Sequence, residues 1–147
     1  MPSPHSVELA TAPDKQRRLD QRRQADRLVE LAAALEPTDR TLIEAVYRDG
    51  RSIRDIAQLM RLPRRTVQGR VDGLIRRLND PLYQFVATKG ELLPRACRVV
   101  ARRVICEGQS QREAARASRL TLHAVRKILT TTKGFAEMSA MYGRHLN

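Results

Sequence analysis

The sequence predicts an all-α fold in which two short helical units follow an amphipathic helix. Three observations lead there. From Asp14 onward apolar residues recur three and four apart, the period of a helix with one buried face. The 147 residues are rich in Ala, Leu, Arg and Gln and hold 3% aromatics and no Trp, so any core must be small and aliphatic. Between Arg51 and Leu78 a cap, a bend and a second apolar stripe follow one another, and the pattern returns 58 residues later without a gap.

Residues 1–13 are Pro/Ser-rich and aperiodic, as in a mobile arm. Residues 14–35 read as a helix with a stripe of Leu19, Ala25, Leu28, Val29, Ala32 and Leu35 among alternating charges. Its apolar face can pack on the unit that follows or pair with a second copy. Pro37 breaks the chain, and Thr38 or Asp39 can cap a helix whose inner side is Leu42, Ile43, Ala45, Val46 and Tyr47. Asp49-Gly50 ends it with a left-handed glycine.

Arg51–Leu78 is the central stretch. Ser52 is placed to cap a short helix, with Asp55 returning to its amide and Ile56, Ala57 and Leu59 on the apolar side. Met60–Leu62 form the bend and Pro63 suits the start of the next helix. Val67, Val71, Leu74, Ile75 and Leu78 give that helix one buried face. Arg64, Arg65, Gln68, Arg70, Arg76 and Arg77 fall on its other side. A helix so packed can enter a major groove, where Arg pairs with guanine and Gln with adenine.

Together Ser52, Asp55-Ile56-Ala57, Leu59, Leu62, Thr66-Val67, Arg70-Val71 and Leu78 make the stretch resemble the helix-turn-helix of region four of bacterial sigma factors. The resemblance covers about residues 36–78. It implies that Arg64, Arg65 and Gln68, with Thr66 beside them, lie where the family touches bases. Arg70 lies nearer phosphate, and RNA polymerase becomes a candidate partner. The N-terminal part has no aromatic-rich segment for opening promoter DNA, which suits a regulator that borrowed the module better than a complete sigma factor.

Asn79-Asp80-Pro81 stops the second helix. Leu82–Ala87 has strand character, and Thr88-Lys89-Gly90 could turn it back through Glu91-Leu92-Leu93 as a small β wing with Lys89 at its tip. A linker helix tucking Tyr83 and Phe85 into the core is the other reading. Residues 36–93 would form the first unit.

Residues 94–147 would form the second unit and a C-terminal helix. At the 58-residue shift Gly50 meets Gly108, Ser52 meets Ser110, Asp55 meets Glu113, Ala57 meets Ala115 and Val67 meets Val125. Thr121, where Pro63 stood, can cap a helix itself. Thr121, His123, Arg126 and Lys127 would meet nucleic acid, with Ser110 at the other cap. Beyond Thr130–Gly134 a last short helix carries Phe135, Met138, Met141 and Tyr142, as core or as a homodimer contact.

Charge points the same way. The net charge is +12, and residues 37–147 hold 22 Lys and Arg against 10 acids, whereas residues 1–36 balance at six each. A polyanion is the natural partner. Membrane lipid is disfavoured, because no run approaches the roughly 20 apolar residues of a span and the basic helices lack Trp. No signal peptide is visible after Met1-Pro2-Ser3-Pro4, so a cytoplasmic, nucleoid-associated protein is expected. Cys97 and Cys106 read as free thiols, and with His5, His123 and His145 scattered no metal site or cofactor is expected. No phosphate loop or nucleophile–base pair suggests an enzyme. The reading is a sequence-specific duplex-DNA-binding transcriptional regulator, with phosphate contacts from Arg51, Ser52 and Arg54. Two units could occupy neighbouring grooves roughly 34 Å apart. The alternative is a protein-interaction, DNA-packaging or recombination accessory module on the same helices.

Overall fold

A computed structural model describes residues 11–145. Eight α-helices succeed one another: α1 (Ala12–Leu31), α2 (Pro37–Tyr47), α3 (Ile53–Met60), α4 (Arg64–Leu78), α5 (Pro81–Lys89), α6 (Arg95–Ala101), α7 (Gln111–Ser118) and α8 (Leu122–His145). Short 3-10 turns follow α1 (Ala32–Ala34) and α5 (Gly90–Leu92), and α6 runs on as a π-helical turn, Arg102–Cys106. The arm expected over residues 1–13 lies outside the described residues up to position 10, and Ala12 and Pro13 already belong to α1.

Local chemistry sets the helix starts. Pro37 and Pro81 occupy first helical positions, where a missing N–H costs nothing. Glu36, rather than the expected Thr38 or Asp39, caps α2 by accepting from the Thr38 amide at 3.2 Å. That bond holds its carboxyl below the ordinary value. Asp80 caps α5 through the Leu82 amide at 2.8 Å.

No strand occurs among the described residues, so of the two readings of Leu82–Leu93 the linker helix holds and the wing is absent. The stretch is helical and buries Tyr83, Phe85 and Val86. The Tyr83 hydroxyl donates to the Leu31 carbonyl at the end of α1, which ties α5 to that helix end. α5, its 3-10 turn and buried Leu93 thus repeat, 58 residues on, the end of α1, its 3-10 turn and buried Leu35. A correction concerns α8, which is one helix of 24 residues rather than two. The Thr130, Thr131 and Thr132 hydroxyls bond back to the carbonyls four residues earlier, so the polar run stays helical.

The main core joins Leu28, Leu31 and Leu35 to Ile43, Leu74 and Leu78, and continues through Tyr83 and Cys97 to Cys106. A smaller core of Val100, Ala115, Val125 and Leu129 lies among α6, α7 and α8. Ile105 and Ile128 touch both, so the two halves are fused. α1 contributes Leu28 and Leu31 to the core, whereas Leu19 is half-exposed, which supports packing over pairing for its second half. Leu59, expected on the apolar side of α3, is 69% exposed.

Gly50 and Gly108 hold the left-handed turns before α3 and α7, at φ +67° and +76°. A Cβ at Gly50 would meet nothing, whereas one at Gly108 would stand 3.1 Å from Arg77 Nη1. Arg77, expected on the outer side of α4, instead reaches inward to this turn. Gly50→Ala should therefore cost about 1–2 kcal/mol in urea unfolding from backbone strain alone. Gly108→Ala should cost more, because Arg77 must also move.

Cys97 and Cys106 are buried free thiols. Burial pushes the Cys106 thiol up to about 12 and raises the Tyr83 hydroxyl too. An unfolded thiol titrates near about 8.5, so the unfolded chain loses its proton first as pH rises. The Cys106 contribution to stability is complete below that pH and lost as pH rises through its folded value. Urea midpoints should accordingly fall above pH 9, with a shallower fall in Cys106→Ala.

Candidate nucleic-acid interface

The Ser52 hydroxyl caps α3 by accepting from the Asp55 amide at 3.1 Å. The bond expected back from the Asp55 carboxylate is absent. In the second half both bonds form, because Glu113 is one methylene longer: Ser110 accepts from the Glu113 amide, and its own amide donates to Glu113 Oε2, each at 3.1 Å. Each short helix then ends in the same way. The Leu62 amide donates to the Ala57 carbonyl at 3.0 Å and the Arg61 amide to Gln58 at 3.3 Å. Leu120 to Ala115 and Arg119 to Arg116 repeat this at 2.9 and 3.3 Å. These are Schellman closures with a left-handed residue at the turn.

Pro63 is extended and hands the chain to α4. Val67, Val71 and Leu74 are each at most 3% exposed, so the rotation of α4 about its axis is fixed. Its outer side opens a shallow groove lined by Arg64, Arg65, Gln68, Gly69 and Asp72. Among the described residues neither Arg64 nor Arg65 has an internal hydrogen-bond partner. Gln68 Nε2 donates to Asp72 Oδ1 at 2.9 Å. One amide hydrogen and the carbonyl oxygen stay free to meet a base edge. Asp72, an isolated acid in the sequence, thus orients Gln68.

Arg70 is committed elsewhere. Its Nε and Nη2 donate to Asp39 Oδ1 at 3.0 and 2.7 Å, tying α4 to the start of α2. Arg51 and Arg54 flank the α3 cap, and Thr66 lies in the first turn of α4, all exposed. Ser52 and Ser110 spend their hydroxyl acceptors on capping. In the second half the Thr121 hydroxyl accepts from the Ala124 amide at 3.1 Å and caps α8. His123, Arg126 and Lys127 are exposed on the first turns, with Arg126 reaching Gln111 at 3.4 Å. Lys89 is not at a wing tip. It ends α5 and lines a groove with Phe85, Phe135 and Met138 against α8.

No group of three or more His, Cys, Asp or Glu is placed to hold a metal among the described residues, and no described helix is long and apolar enough to cross a membrane. The Arg70–Asp39 pair is partly exposed, so Asp39→Asn should cost less than about 1 kcal/mol. By freeing Arg70, it should shift elution from a heparin column to higher salt.

Comparison with curated proteins and with solved structures finds no match. Residues 25–71 match the family model described as Sigma-70, region 4, which spans the end of α1, α2, α3 and the first half of α4. Over these residues the chain is therefore similar to the helix-turn-helix of sigma-factor region 4, a fold of the DNA-binding kind.

Proposed function

We propose that the protein is a sequence-specific duplex-DNA-binding regulator of transcription that acts on the nucleoid in the cytoplasm. α4 enters the major groove, and the observation that carries this reading is the pair Arg64 and Arg65. Both are exposed on the first turn of a helix whose opposite side is buried. Either guanidinium can take guanine O6 and N7, and Gln68 reads the neighbouring base. Arg51 and Arg54 hold phosphates beside the α3 cap. His123, Arg126 and Lys127 extend the contact from the second half, where half-buried Leu122 replaces Arg64 and leaves less capacity to read bases.

A second reading has its own observation. Leu59 projects into a groove between α2 and α3 that also exposes Thr41, Ala45 and Met60 under a rim of Glu44, Arg48 and Arg51. A helix of RNA polymerase, or of another protein, fits such a groove while α4 stays on DNA. A homodimer would add a two-fold axis.

Selection of duplexes from a random pool tests the first reading. A palindromic winner indicates the dimer and an asymmetric one a monomer. On the selected duplex Arg64→Ala and Arg65→Ala should each lose about 1–3 kcal/mol and relax preference at one base pair. If about six phosphates are held, raising salt from roughly 50 to 200 mM should weaken binding on the order of a thousandfold. A flat salt response, or no enriched sequence, would defeat the reading.

A further inference from the structure

We infer that Arg61 and Arg119 are paired phosphate-gripping residues, one at the turn of each half, that hold the backbone of duplex DNA beside α4 and α8. This rests on the DNA-binding reading above, and it adds two residues that the sequence pattern did not single out. Among the described residues they are the non-glycine residues at positive φ, at +54° and +55°. They stand 58 residues apart, each three residues before the first residue of the long helix. A side chain with a Cβ is disfavoured in this conformation, and glycine or asparagine is the usual solution. The chain uses that solution at its other left-handed turns, Gly50 and Gly108. At the turns before α3 and α7 it places glycine, and at the turns before α4 and α8 it places arginine twice.

The side chains do nothing for the fold that would explain this. Both residues are exposed, and no hydrogen bond or ion pair holds either guanidinium among the described residues. Only their backbone amides, beside those of Leu62 and Leu120, take part in the Schellman motifs, which glycine would do equally well. A guanidinium offers several N–H donors to phosphate oxygens, so a polyanionic backbone passing both turns gives the repeated strain a use.

The double variant Arg61→Gly/Arg119→Gly of the full chain tests this. Its thermal midpoint should equal or exceed that of the parent. Its affinity should fall at least tenfold, and equally for selected and unrelated duplexes. Its log–log salt slope should become shallower by about 2, since each phosphate contributes about 0.9. Arg61→Lys/Arg119→Lys should keep most of the slope. If the glycine variant melts below the parent, Arg61→Asn/Arg119→Asn takes its place, because asparagine tolerates the left-handed turn. Parental affinity and slope in these variants, while Arg64→Ala still loses binding, would sink the inference and leave the DNA-binding reading intact. Absence of salt-dependent duplex binding by the parent would sink both.

Discussion

Burial of Val67, Val71, Leu74 and Leu78 fixes the rotation of α4 about its own axis, and the interface depends on that constraint. Four apolar side chains at helical spacing leave one orientation in which all are dry. Turning the helix by one residue, about 100°, would expose valines and bury guanidinium groups without partners, which is far costlier than any surface contact could offset. Arg64, Arg65 and Gln68 therefore face outward as a consequence of packing. The caps of α3 and the left-handed turn at Arg61 then fix where the first turn of α4 begins. Core, cap and turn act on three different degrees of freedom of the same helix.

Much of this was legible because it is local. Ser52 and Ser110 with an acid three residues on, Gly50 and Gly108 at the helix ends, and Thr121 as a cap are all set within a few residues. So is the apolar stripe of α4. Wing and linker helix stayed open at Leu82–Ala87 because it is a short apolar run whose period does not separate strand from helix. Asp80-Pro81 ahead of it was the better guide, since an acidic cap followed by proline begins a helix. Extending the 58-residue shift backward would also have set residues 90–92 on 32–34. Arg77 and Arg70 could not be assigned locally. Both lie on the outer arc of α4 by periodicity, but one meets the Gly108 turn and the other Asp39, partners 31 residues away in sequence in each case. Arg61 and Arg119 were invisible for the opposite reason: arginine in a turn is unremarkable until its φ is known.

The two halves share a backbone plan and differ in what fills it. At the 58-residue shift Ala114 replaces Ile56, Thr132 replaces Leu74 and Ala136 replaces Leu78. The second core is correspondingly small, and Thr132 is buried with its hydroxyl bonded to its own helix. Such a unit has little apolar area of its own to set against chain entropy. Its remedy is fusion: Ile105 and Ile128 reach into the larger core, and α5 packs on α8 and on the π turn after α6 while Tyr83 ties it to Leu31 of α1. The second half is therefore held in a fixed relation to α4 by the same burial that keeps it folded.

Charge is distributed with similar economy. The 28 Lys and Arg overstate what is free to meet a polyanion, because Arg70 is paired with Asp39 and Asp72 sits beside Gln68. A groove lined only by arginines would grip any duplex through its phosphates and discriminate poorly. Placing one carboxylate within the groove penalises indiscriminate phosphate approach at that point and fixes the orientation of the glutamine amide. On the proposed reading the general attraction is left to cations at the caps, the turns and the second half. On that reading affinity and selectivity are carried by different residues: a phosphate contact outside the groove could change without altering which base Arg64 or Arg65 would meet.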